Sequence, residues 1–171
     1  MSAILIADSG PLISLAAANL LHLLLEFDFR ITDVVKNETI DLPMVSNPTQ
    51  IQLRIRDFYL RNIDSITVEP TTIGAQIAEK ISRGEHPLNS RNLGELSVQS
   101  WLIHHHPSED PILVLYEDAW FENNQNSLPA SCRLAGLYAF LLAAERNGLI
   151  PDADAAVGAI RKERPHVRLG L

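Results

Sequence analysis

The sequence predicts an α/β fold, a three-layer α/β/α sandwich around a mainly parallel sheet. Three observations lead there. Short runs continuous in Ile, Leu and Val alternate along the chain with longer segments of helical period, the pattern of strands buried on both faces and joined by helices. Two of these runs end in acids, at Asp8 and at Glu117-Asp118, and ligands of parallel sheets bind at the carboxyl ends of strands. The chain has 171 residues, 46% of them apolar, enough for one domain with a real core and no covalent staples.

Taken in order, Ala3 to Ala7 is too short for a helix and reads as a strand, followed by the turn Asp8-Ser9-Gly10-Pro11. Pro11 suits a first helical position, and Leu12 to Phe27, apolar nearly all round, predicts one buried helix. Phe29 to Thr32 reads as a second strand, and Asp33 to Ile40 as a helix carrying Glu38. Leu42 to Pro48 has two prolines and reads as a connection; Ile51, Ile55, Phe58 and Tyr59 then recur at helical spacing. Ile66 to Val68 is a short strand, Thr71 to Arg83 a helix stopped by Gly84, and Glu85 to Asn92 a polar loop. Leu93 to His104 predicts a helix and Ile112 to Tyr116 a buried strand; Ala119 to Glu122 gives one helical turn before an Asn-rich loop. Ser131 to Leu134 is the last strand, with helices at Gly136 to Asn147 and Asp152 to Glu163. One domain is expected over residues 1–171, with 150–171 forming a C-terminal helix and tail.

Fourteen basic against 21 acidic residues give a formal net charge of −7. This opposes nonspecific nucleic-acid binding, which needs clustered cationic charge. Of the 14 basic residues 11 are arginine, gathered at Arg54, Arg56 and Arg61 and at Arg161, Lys162, Arg164 and Arg168. Either group suits forked phosphate contacts and equally suits a solvated helix face and a frayed tail. The single cysteine, Cys132, cannot form an intramolecular disulfide and reads as a small core residue, compatible with a cytoplasmic protein. The longest apolar run, Pro11 to Leu25, falls short of the roughly 20 residues of a membrane span. Ala16-Ala17-Ala18 lacks the basic region of a signal peptide, so no membrane association is expected.

Four acids stand out by position: Asp8 and Asp118 at strand ends, Glu38 on the helix after the second strand, and Glu95 in a helix's first turn. Each alone is more often a cap or a dipole partner. Gathered at one pole of a parallel sheet, they would repel one another unless some protonate or share a hard cation such as Mg²⁺ or Mn²⁺.

The segments ILIADSGPLISLA, ITDVVKNE, NLGELSVQSWLI and ILVLYEDAWF, in that order, resemble the motifs of PIN-domain proteins, in the subgroup whose third motif contains Leu-Gly-Glu. RLAGLYAFLLAAERNGLI extends the resemblance, which covers residues 3 to 150. It implies a PIN-like fold and a divalent-metal-dependent, VapC-like endoribonuclease, the toxin of a toxin–antitoxin pair. Its catalytic and metal-holding residues would be Asp8, Glu38, Glu95 and Asp118, with Glu117 as an alternate fourth acid, and its cofactor Mg²⁺ or Mn²⁺. It also implies a single-stranded RNA substrate cleaved by in-line attack of metal-activated water, a cognate antitoxin and a homodimer. Two positions depart from the pattern: Leu137 stands where a hydroxyl residue is common, and the third acid is Glu95 rather than Asp. The alternative is a catalytically impaired PIN-like domain acting as a nucleic-acid- or protein-binding module.

Ser9, Ser97 and Trp120 are candidate substrate contacts, against bland readings as a helix cap, a helix surface residue and a core residue. Trp101 reads as core. Histidines 104 to 106 are adjacent, so on a helix their side chains diverge by about 100° and do not suit one metal. A phospho-receiver would need a late lysine after a strand, whereas lysines stand only at 36, 80 and 162. A haloacid-dehalogenase-like phosphatase would need an acid where Gly10 stands.

Overall fold

The structure, a computed structural model, describes residues 3–85, 92–104 and 111–170. Five strands, β1 (Ile4–Ala7), β2 (Asp28–Thr32), β3 (Ile66–Glu69), β4 (Ile112–Tyr116) and β5 (Cys132–Gly136), form one sheet in the order β3-β2-β1-β4-β5. Every pairing is parallel. The helices are α1 (Ser9–Ala17), α2 (Asp33–Lys36), α3 (Gln50–Arg61), α4 (Thr72–Ser82), α5 (Leu93–His104), α6 (Ala119–Asn123), α7 (Leu137–Arg146) and α8 (Ala153–Glu163). Contacts link α1 with α3 and α8, and α8 with α7, while α5 packs with α2, α4 and β2. These two helical groups sandwich the sheet, as the sequence predicts.

The central strands explain the continuous apolar runs. Leu5, Ile6, Ala7, Val114 and Leu115 are all fully buried, since both sheet faces are covered. From β1 the chain moves to β2 on one side, whereas β4 leads to β5 on the other. The strand order therefore reverses between β1 and β4, and a crevice opens at the carboxyl ends of these two strands. Asp8 follows β1 and Glu117-Asp118 follow β4, so the topology places the acids at the switch point.

The long helix expected over Leu12 to Phe27 is two pieces. It stops at Ala17, and Asn19 takes a left-handed backbone (φ 59°) before a 3₁₀ segment, Leu21–Glu26. Asparagine tolerates that conformation better than other non-glycine residues. Arg54 of α3 donates to the carbonyls of Ala16 and Ala17, satisfying the exposed helix end. The helix expected over Asp33 to Ile40 is also split: α2 runs into a π-helical turn, Asn37–Asp41, closed by the Leu42 amide on the Asn37 carbonyl. Such turns are rare and often mark functional sites; this one carries Glu38.

The tail, for which fraying is one reading of the sequence, is ordered against the fold. Leu169 is 1% exposed, its carbonyl accepts the Tyr138 amide, and the Gly170 carbonyl lies 2.2 Å from where a Cβ on Gly136 would sit. Gly136 is thus held to glycine by the tail's close approach. Among the described residues no helix is long and apolar enough to cross a membrane.

Candidate active site

A cleft of about 540 Å³ opens at the switch point and is lined by all four sequence-singled acids, Asp8, Glu38, Glu95 and Asp118, together with Glu117. Each arrives on a different element, so the site exists only in the folded chain. Asp8 sits between β1 and α1 and is 6% exposed; its Oδ1 has no hydrogen-bond partner. Burial above all, then the charges of Glu95, Glu38 and Glu117, push its carboxyl up to about 7, against a smaller opposing pull from the Ser9 amide. Glu95 is also raised, first by burial and then by Asp118 and Glu38. The acids therefore feel one another's charge.

Gly94 makes this proximity possible. A Cβ at this position would lie 2.6 Å from Asp8 Oδ1 and 3.1 Å from Glu38 Oε2. The first turn of α5 rests its bare backbone on the two carboxylates, which is why a residue unfavourable inside helices stands there. The placement of α5 is fixed by a buried hydrogen-bond chain. Ser97 Oγ donates to the Gly94 carbonyl at 2.6 Å, so the 2.7 Å contact between Thr32 and Ser97 has Thr32 as donor, and Thr32 Oγ1 in turn accepts the Val35 amide. Thus the end of β2, the start of α2 and the start of α5 are locked together.

The candidate contacts separate. Ser9 lines the cleft and donates to Glu38 Oε2 at 2.6 Å, orienting an acid rather than capping its own helix. Ser97 is fully buried in the Thr32 chain and does not reach the cleft; the sequence misplaced it because a helix with apolar residues on several sides gives no clear inward face. Trp120 lies outside the cleft lining, edge-on to Phe121 at 5.1 Å, and Trp101 is buried. Leu137 is fully buried, so its side chain offers the cleft nothing. His105 and His106 lie outside the described residues, and the His104 ring bonds the Ser100 carbonyl.

The adjacent acids after β4 have opposite fates. Glu117 is 5% exposed and paired through both oxygens with Arg164, at 2.8 and 3.1 Å. Arg164 also donates to the Gly10 carbonyl at 3.1 Å and to Ser14 Oγ. Burial raises Glu117, and Ser14 and Arg164 hold the rise back. Asp118 is exposed and caps α6 through the Trp120 amide at 2.8 Å. Glu117 is therefore an ion-paired, buried acid, and Asp118 keeps an oxygen free of the cap.

The basic cluster singled out in the sequence does reach the cleft, through Arg164 and Arg168; sequence reasoning missed that Arg164 is the counter-ion of Glu117 and that His166 lines the same cleft. No local signal joins residues 47 apart; the glycine of Leu-Gly-Glu, at a helix's second position, was the one available sign of close approach. The donors suit a hard divalent cation: carboxylate oxygens, one of them buried and orphaned, under a glycine that leaves room for nothing larger. As they stand, and among the described residues, no three acids or histidines form a closed ligand group. Family models, curated proteins and solved structures all return no match to the chain.

Proposed function

We propose that the chain is a divalent-metal-dependent endoribonuclease hydrolysing RNA phosphodiester bonds, the toxin of a toxin–antitoxin pair. The observation that carries the reading is Asp8, an acid buried at the topological switch point with an unpartnered oxygen, facing Glu38, Glu95 and Asp118 across one cleft. The order of the four acidic motifs supports the specific chemistry, and the toxin role rests on that resemblance alone.

Asp8, Glu38, Glu95 and Asp118 would hold Mg²⁺ or Mn²⁺. When bound, the ion supplies charge neutralisation for a phosphate and lowers the proton affinity of water. The chain's own residues do the rest. Ser9 holds Glu38 at a fixed rotamer through its 2.6 Å bond. The Thr32–Ser97 chain holds α5, and with it Glu95, against the sheet. Arg164 offsets the charge of Glu117 by pairing with it, leaving the outer carboxylate, Asp118, without an ion-pair partner among the described residues.

The test is cleavage of a labelled single-stranded RNA with Mn²⁺ and with EDTA. Cleavage is expected only with metal, and is lost in Asp8→Asn and Asp118→Asn variants that keep the wild-type circular dichroism. Cleavage retained in both variants refutes the reading. A folded wild type that neither cleaves nor takes up Mn²⁺ by calorimetry leaves the non-catalytic binding module, which the buried Leu137 favours.

A further inference from the structure

Resting on the nuclease reading for its substrate class, we propose that the C-terminal strap, residues 164–170, is the phosphate-binding wall of the cleft. In it Arg168 and His166 grip the phosphodiester backbone of a single-stranded polynucleotide held in the acid-lined cleft. The strap is built to hold those groups in place. Arg164 pins its start to Glu117 and Gly10, the Val167 amide closes a turn on the Arg164 carbonyl, and the Leu169 carbonyl takes the Tyr138 amide with its side chain buried. Between these anchors His166 and Arg168 are exposed and line the same cleft as the carboxylates. Among the described residues neither makes an ion pair or a side-chain hydrogen bond, although acids line the same cleft.

An arginine without an ion-pair partner and a histidine whose ring makes no hydrogen bond among the described residues, lining one cleft with unpaired acids, fit a ligand that is itself anionic and is bridged to the acids by a cation. The strand of basic charge continues outward: Arg161 and Lys162, in the last turn of α8, are exposed as well. Four of the chain's 14 lysines and arginines thus fall within residues 161–168, a local reversal of the overall acidity. A guanidinium fork matches a phosphate's two free oxygens. The second arginine cluster does not compete for this role, because none of its members lines the cleft: Arg54 is bonded to the end of α1, Arg56 to the Asp57 carboxylate and Arg61 to the Asp57 carbonyl.

Fluorescence anisotropy of labelled oligouridylate and oligothymidylate, each about 20 nucleotides long, titrated in Ca²⁺ at several salt concentrations, tests the proposal. Recovered strands are checked for length. Wild type should bind. Arg168→Ala and His166→Ala should each weaken binding, the arginine variant about tenfold with a salt slope shallower by about 0.7, the share of one single-strand phosphate contact. Arg168→Lys should keep the slope. Arg146→Ala, which removes equal charge from the far end of α7, should change nothing, and all variants should melt like wild type because these side chains are exposed. Preference for either strand assigns a contact beyond the phosphates, and equal binding assigns the backbone alone; both support the wall. Unchanged affinity and slope in Arg168→Ala and His166→Ala overturn it even if the chain cleaves RNA, as does a wild type that binds neither strand. Absent Mn²⁺-dependent cleavage together with the predicted binding losses refutes the nuclease and leaves the wall standing.

Discussion

Replacing Asp8 by Asn should stabilise the metal-free protein at alkaline pH while it destroys metal binding. The Asp8 carboxyl moves from an ordinary 3.8 to about 7 on folding, chiefly by burial. In the window between those values the folded state keeps a proton that the unfolded state has released, so stability falls as pH rises through it. Once ionised, the buried carboxylate costs the fold about 4 kcal/mol. Asparagine removes the charge but leaves a buried amide to satisfy, a cost of about 1–3 kcal/mol, so a net gain of about 2 kcal/mol is expected at pH 8. For a chain of this size that is a rise of about 5 °C in Tm. Near pH 4.5, where Asp8 is protonated in the native state, the advantage should vanish. Urea and thermal unfolding in EDTA at both pH values measure this, and added Mn²⁺ should raise the Tm of wild type only. An Asp8→Asn variant no more stable than wild type at pH 8 would refute the claim that this acid is buried without compensation.

Gly94→Ala should lower Mn²⁺ affinity at least tenfold by calorimetry, because its Cβ would strike Asp8 Oδ1 and crowd Glu38 Oε2; the loss in stability should stay within about 1–2 kcal/mol, since alanine is the better helix former. Arg164→Ala should cost about 3 kcal/mol in urea unfolding by stranding Glu117, which is 5% exposed. Adding Glu117→Gln should recover part of that loss, and a double-mutant cycle without coupling would exclude the pair. Ser97→Ala breaks the chain from Val35 to Gly94 and should cost about 1–2 kcal/mol. KM for RNA should remain at its wild-type value, since the hydroxyl lies outside the cleft; a KM effect without a stability effect would restore Ser97 as a substrate contact.

The strands and most helices were legible because the forces that make them are local. Ile112–Tyr116 and Leu93–His104 run as the sequence predicts, the first from an unbroken apolar run and the second from its length and stop. That Asp8 and Asp118 share one pole was legible because a parallel sheet places strand ends there; that Glu38 and Glu95, on helices, line the same cleft was an expectation of the motif resemblance. What escaped was decided at long range. The break at Asn19 depends on Arg54 reaching the carbonyls of α1 from another helix. The burial of Ser97 depends on Thr32, 65 residues earlier. The tail read as frayed because its basic, proline-containing sequence has no periodicity; its order comes from a glycine–glycine contact and from Glu117.

Glu117 and Asp118 show how the cleft sets its own charge. Successive positions at a strand's end point to opposite sides, so one acid turns into the fold and the other to the opening. The inward acid is matched by Arg164, and the pair closes on Gly10 and Ser14 at the start of α1, directly after Asp8. That arrangement leaves Asp8, Glu38, Glu95 and Asp118 without an ion-pair partner among the described residues, and the orphaned oxygen belongs to the most deeply buried of them. A fold selected only for stability would put a second arginine or an apolar residue there, because an uncompensated buried carboxylate costs more than either. Arg168 stands in the same cleft and does not fill that role. Under the proposed function, the missing compensation is a place for a cation from solution, and Arg168 is left for the anion that the cation brings into contact with the acids.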